Sequence, residues 1–341
     1  MSSMLIGAPW LLAHKSMLVV NQLLKVSLYG TDYVMWKDTS GDVYALPNAC
    51  PHMGAMLSEG WCVQSNDSSN GKSNGASHGK SHVVCPFHAL QFDFEGCTVL
   101  PGSGKKTLPQ LHPLELIIQG DFIWSYGGHT PKVPIPNILN EFAEEYEFIG
   151  VTGDRTIQTD LLTMLLNMHD YNHQNGTHRS LFEIQEVQFK QFADHGYHSH
   201  AYYDMPRTPP KLRDILSNPA VLALPKTIKA HLENLFPSLV IFHGESPIAS
   251  LKQCHLFVPA SETHTRTYVL MFGKPHSPIA HLLKQNLLQL AEIVVEQDAD
   301  ILGKLYANTP QTIKLNNEVG IDWVRRNFDS FPDVVEPNLS R

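Results

Sequence analysis

Two short runs, Cys50-Pro51-His52 and Cys85-Pro86-Phe87-His88, each pair a thiol with an imidazole one or two residues further on. Together they offer four donors. That set suits zinc in a tetrahedron, or a two-iron, two-sulfide cluster in which two imidazoles replace two thiolates on one iron. Composition alone does not separate the metals. Two details favour the cluster: Cys-x-His spacing is unusual for a structural zinc knuckle, and the runs sit between strand-like segments, Val43 to Leu46 and Val83-Val84 before them and Phe92 to Phe94 after. A redox cluster would also make a second metal site downstream useful.

Such a site is offered by Asn167-Met168-His169-Asp170-Tyr171-Asn172-His173-Gln174-Asn175-Gly176-Thr177-His178, an Asp-x-x-His-x-x-x-x-His pattern. Leu162, Leu165, Leu166, His169 and His173 recur at helical spacing, so a helix from Thr159 to Gln174 is expected to turn His173 inward. Asn175-Gly176 is a stop signal after which the chain can bring His178 back toward His173. His169 and His173 also form an i, i+4 pair, an alternative choice of ligands. Two imidazoles and one carboxylate hold iron while leaving positions open for oxygen and substrate.

The carboxylate must come from elsewhere. A long helix expected over Ile279 to Tyr306 carries an apolar stripe, Leu283, Leu287, Leu290, Val294, Ile301 and Leu305, and the position this stripe requires between Val294 and Ile301 is Asp298. A carboxylate on a buried seam is costly unless it meets a metal or a partner, a buried salt bridge being the other possibility. Asp300 lies about 100° around the helix from Ile301 and is expected to face away.

The runs Cys50-Pro51-His52-Met53-Gly54-Ala55-Met56-Leu57 and Cys85-Pro86-Phe87-His88-Ala89-Leu90-Gln91-Phe92-Asp93, with turns at Gly60 and Gly96, resemble the cluster loops of Rieske non-haem iron oxygenases. Asn167 to His178 and Glu296-Gln297-Asp298 resemble that family's mononuclear-iron motif and third-ligand segment. Ala89-Leu90 departs from the usual Gly-Trp. Neither loop has the extra cysteine of respiratory Rieske proteins, Met53 and Ala89 standing after the two ligating histidines.

The resemblance implies a terminal oxygenase of the branch built from alpha subunits alone. Cys50, His52, Cys85 and His88 would hold a 2Fe-2S cluster, and His173, His178 and Asp298 a mononuclear Fe(II). Electrons would come from a reductase or ferredoxin, and O2 would be used to hydroxylate a small organic substrate. Oxidative demethylation and cis-dihydroxylation run on the same scaffold, and a non-oxygenase Rieske electron carrier is the reading from another class. The family's subunit arrangement, a homotrimer, places Asp170 as the bridge between His88 of one chain and His173 of the next.

The elements needed to position these residues follow from the rest of the chain. With 341 residues, about two domains are expected, and a hydrophobic fraction of 43% suffices for two cores. Residues up to about 126 alternate β-branched and aromatic runs (Leu23 to Tyr29, Tyr33 to Lys37, Leu114 to Gln119, Phe122 to Tyr126) with turn residues, a pattern of short strands. The expected fold class is α+β: an all-β domain over 1–126, a Pro-rich linker over 127–137, and an α+β domain over 138–341 whose antiparallel sheet is flanked by helices. Residues 64–82, nearly all Ser, Asn, Gly, Lys, His and Asp, form a polar insertion between the half-sites.

A net charge of −8 argues against nucleic acid or an anionic membrane as partner. No stretch reaches the roughly 18 apolar residues of a membrane helix, and Pro9, His14 and Lys15 interrupt the N-terminal run, so neither a span nor a signal peptide is expected. Three cysteines remain once two are assigned as ligands, Cys62, Cys97 and Cys254. No disulfide framework follows, and a reducing, cytoplasmic location is expected. His198 and His200 share one side of a possible strand, either lining the pocket or facing solvent. Cys254-His255 has no matching half-site, and Cys254 is read as core.

Overall fold

The computed structural model describes residues 4–64, 80–100, 106–246, 248–306, 309 and 311–332. Of the insertion expected at 64–82, residues 65–79 lie outside this set. The chain divides into two units: one is Pro9–Pro131, and the other joins Lys132–Arg341 to Met1–Ala8 as far as these are described.

Among the described residues, the first unit is built from short antiparallel strands in three sheets of three, three and five strands. Alternation drives them. In Thr31–Lys37, flanked by Leu23–Leu28 and Val43–Pro47, Val34 and Trp36 turn into a core completed by Leu46, Leu57, Val83, Phe92 and Leu111. Cys50 and Cys85 belong to that same core, so the thiols are fixed by packing worth about 1.5–3 kcal/mol for each large apolar side chain. Gly60 closes the first loop against the strand Ser81–Val84, where a Cβ would stand 1.9 Å from the Val84 carbonyl oxygen. Only glycine fits there.

In the second unit a seven-stranded antiparallel sheet runs as a meander from Gln188–His195 through His198–Pro206, Thr227–Leu235, Leu239–Glu245, Ala249–Ser261 and His264–Pro275, with Glu147–Ile157 added beside the last. Helix Leu161–His169 packs against Lys284–Leu302 and Val319–Asp329, and all three contact this sheet. This is the α+β architecture expected from the order of elements.

Two helices differ in detail from expectation. The first ends at His169, not Gln174: Asp170 takes an extended conformation and its carboxylate caps a separate 3-10 turn, Tyr171–Asn175, by accepting from the Asn172 amide at 3.0 Å. An Asp that satisfies a free N–H from outside the helix competes with helix continuation, which the Leu pattern conceals. Leu161, Met164, Leu165 and His169 form the buried face. The expected long helix is broken at Leu283, and its buried seam is Leu287, Leu290, Ala291, Val295, Asp298 and Leu302, while Ile301 and Leu305 are exposed.

Gly320, near the start of Val319–Asp329, lets that helix press onto the iron-motif segment. A Cβ there would stand 2.5 Å from the His169 carbonyl oxygen and 2.6 Å from the Tyr171 hydroxyl. From the same region, the Asn316 carbonyl accepts from Asn172 Nδ2 at 2.8 Å.

Candidate active site

In the first unit the two half-site loops have the same turn. The Cys50 amide donates to Ala55 and the Gly54 amide back to Cys50; the Cys85 amide donates to Leu90 and the Ala89 amide back to Cys85. Gly54 and Ala89 occupy equivalent left-handed positions, φ +76° and +55°. Ala89 therefore carries a strain of about 1 kcal/mol that glycine avoids in the other loop.

The loops bring two buried thiols and two exposed imidazoles together, with His52 Nδ1 and His88 Nδ1 3.2 Å apart. Burial pushes the Cys50 thiol above its ordinary pKa, and the neighbouring Cys85 pushes it the same way. Two adjacent buried thiols opposite two ring nitrogens fit a mixed-ligand cluster, whose irons would draw the thiols into the thiolate form.

In the second unit His173, His178 and Asp298 converge, each offering a donor atom within 4.8 Å of the others. His178 Nε2 stands 3.2 Å, and His173 Nε2 3.8 Å, from Asp298 Oδ1. The ring orientations are set from behind. His173 Nδ1 donates to the Asp170 carbonyl, and His178 Nδ1 donates at 2.8 Å to Gln297 Oε1. Both Nε2 atoms are thereby left as lone-pair nitrogens facing the carboxylate.

Asp298 Oδ1 and His178 Nε2 are buried without a hydrogen-bond partner. Such atoms are costly when empty-handed and well matched to a divalent cation, so this donor set fits a mononuclear iron. Burial disfavours the Asp298 anion, but the facing His178 and His173 rings outweigh it and hold the carboxyl below its usual range. Asp300 faces out and pairs with Lys304. His169 takes no part in the triad: its Nδ1 bonds the Leu165 carbonyl at 2.7 Å and its ring lies against Trp323.

The triad forms part of the wall of a cavity of about 120 Å³. Phe182, Leu232, Phe242, Leu251, Leu290 and Val294 are among the apolar residues of the remaining wall, with Gln174, Gln253 and His255 as polar points. Gln253 and His255 were not singled out as pocket residues by sequence reasoning. Their signal is alternation: both share the cavity side of Ala249–Ser261 with Leu251. Burial lowers the His255 pKa to about 4, keeping the ring neutral at pH 7. Cys254, on the opposite face, is fully buried core. His198 and His200 do not line this cavity.

Gln297 was likewise not given a role. Gln297→Leu is expected to free the His178 ring and weaken Fe(II) binding by about 10–100-fold, with Gln297→Glu retaining most of the affinity. Titration of the iron-depleted site, with the cluster spectrum as an internal control, measures this.

A Rieske [2Fe-2S] domain matches residues 9–112, and a vanillate O-demethylase oxygenase C-terminal domain matches residues 157–324. The chain belongs to the Rieske non-haem iron oxygenases. Among curated proteins it is 23% identical over 198 residues to aminopyrrolnitrin oxygenase PrnD of Pseudomonas fluorescens, covering 53% of this chain and 49% of that protein. It is 26% identical over 167 residues to 4beta-methylsterol monooxygenase of Methylococcus capsulatus, covering 45% and 39%. The matched stretch thus spans half the length or less of these relatives.

Among solved structures, dicamba monooxygenase bound to dicamba superposes with a TM-score of 0.71 at 18% identity, covering 97% of this chain and 98% of that one. NdmB of Pseudomonas putida CBB5 gives 0.62 at 14%, covering 96% and 91%. At such identities these likenesses show the fold.

Proposed function

We propose that the protein is a terminal oxygenase that hydroxylates a small organic substrate, using O2 and single electrons delivered by a reductase or ferredoxin. One observation carries the proposal: a buried two-histidine, one-carboxylate set forms part of the wall of an apolar cavity, in a chain that also carries the paired cluster loops. When bound, the metals supply oxygen activation and its electrons. The chain's own residues do the rest. Cys50, His52, Cys85 and His88 would hold the cluster, and His173, His178 and Asp298, beside the cavity, would hold the iron.

Asp170 and Gln297 fix the two ring tautomers, so that no imidazole proton competes with the metal. The apolar wall binds the hydrocarbon part of a substrate and limits water around the reacting carbon. Neutral His255 and Gln253 can orient a polar substituent by hydrogen bonding. Vanillate O-demethylase is itself among the relatives, 25% identical over 157 residues, so demethylation by hydroxylation of a methyl carbon belongs to the same proposal.

Electron transfer in this reading passes between copies of the chain. His52 and His88 stand at an exposed tip with Met53 and Phe87, a surface suited to cover by a second subunit. Asp170 is the residue that would receive it, in a head-to-tail homotrimer. A cytoplasmic location agrees with five free cysteines, and among the described residues no helix is long and apolar enough to cross a membrane.

The test is metal analysis with turnover. The oxygenase reading expects about three irons per chain and the EPR signature of a His-ligated 2Fe-2S cluster. It also expects oxygen consumption coupled to an added substrate when a surrogate reductase is supplied. An iron content of about two, with no coupled oxygen uptake, would favour the electron carrier instead.

A further inference from the structure

The side of the sheet turned away from the cavity carries a second cluster of metal-binding side chains. Strand pairing places His195 opposite His198, His200 opposite Glu233, His231 opposite His243, and His243 opposite Lys252, so all of them project from one face. Their neighbours Tyr203, Leu232, Phe242 and Gln253 point the other way, into the iron cavity.

Within this array His198, His200 and Glu233 each offer a donor atom within 4.8 Å of the others. His198 Nε2 lies 2.9 Å from Glu233 Oε1. The surroundings resemble a supporting shell. His243 Nε2 holds the second oxygen of Glu233 at 2.9 Å, and Lys252 Nζ donates to His243 Nδ1 at 2.8 Å, which fixes His243 as an Nε2–H donor. His200 Nδ1 meets His231 Nε2 at 3.1 Å, and His231 stacks between Tyr202 and His243. With Nδ1 engaged there, His200 presents Nε2 as its free nitrogen.

We propose that His198, His200 and Glu233 form a second divalent-metal site, able to take a first-row cation such as zinc and separate from the iron centre. Imidazole and carboxylate suit such a cation, which binds both at about 2.0–2.2 Å. Glu233 is 11% exposed at its side chain and His198 42%, so the carboxylate is sheltered while the site opens to solvent on the His198 side. The metal would clamp the strands His198–Pro206 and Thr227–Leu235 together behind the cavity wall.

Equilibrium dialysis of the iron-loaded protein against buffered free Zn2+, with zinc and iron counted in the same samples, tests the site. The parent protein is expected to take up one additional zinc per chain with no loss of iron or change in the cluster spectrum. His198→Ala with His200→Ala is expected to weaken uptake by about 100-fold or more, and Glu233→Gln by about 10-fold, since each removes part of the ligand set. A zinc K-edge spectrum should show mixed imidazole and oxygen ligation. Zinc uptake matched by iron loss, or equal uptake by the parent and both folded variants, would overturn the proposal and leave the array a hydrogen-bonded network. The conservative Glu233→Gln change keeps the test decisive if the double variant misfolds.

Discussion

Asp298→Ala is expected to lose about one iron per chain and to lower turnover by at least about 100-fold while leaving the 2Fe-2S spectrum intact. The removed oxygen is a buried acceptor with no hydrogen-bond partner of its own, facing two lone-pair nitrogens, so nothing nearby can take its place. Asp300→Ala is the matched control. It deletes an exposed pairing with Lys304, worth no more than about 0.5 kcal/mol, and should change neither iron content nor turnover. Iron analysis, EPR of the cluster and oxygen uptake on the same preparations separate the two outcomes. Full iron and activity in Asp298→Ala would move the third ligand elsewhere, with Glu296 the next to examine.

Asp170→Asn is expected to keep both metal centres and the proposed trimer but to slow substrate-dependent reoxidation of the cluster by on the order of 100-fold. The change is nearly isosteric, and the side-chain oxygen that accepts from the Asn172 amide is retained, so the cap survives. What is lost is the carboxylate charge offered to the imidazole of the neighbouring copy, while the main-chain carbonyl that accepts from His173 Nδ1 is retained. Burial already raises the pKa of this carboxyl, despite the opposing influence of His173. Single-turnover kinetics of the cluster, beside mass measurement of the assembly, read the effect. A parent-rate Asp170→Asn variant, or a fully active monomer, would remove Asp170 from the electron path.

The half-sites could be read from sequence because their geometry is local: Cys50 and His52, or Cys85 and His88, are separated by a single turn. Asp298 could be anticipated for a different reason, as a charged residue on an otherwise apolar helical stripe. The phase of that stripe drifted on both sides of Asp298: Val295 is buried where Val294 was expected, and Leu302 is buried where Ile301 was. Hydrophobicity marks a seam but does not decide which neighbour covers it.

Two features depended on contacts that no local pattern contains, and a third on a local cap that the leucine pattern conceals. Gln297 earns its place only through His178, 119 residues away. The side taken by His198 and His200 follows from sheet register and from the helices that cover the other face. The break at Asp170 arises because its carboxylate caps the next turn, against a leucine pattern that suggests continuation.

The close approach at Gly320 has a consequence for the order of assembly. The segment that offers His173 and His178 is propped by a helix near residue 320, oriented by Gln297, and tied through Asn172 to Asn316, a partner 144 residues later. During synthesis, those props emerge long after the histidines. The iron centre is therefore finished late, and metal loading waits for the chain to fold back on itself, whereas the cluster loops, only 36 residues apart at their histidines, can close while the second unit is still being made.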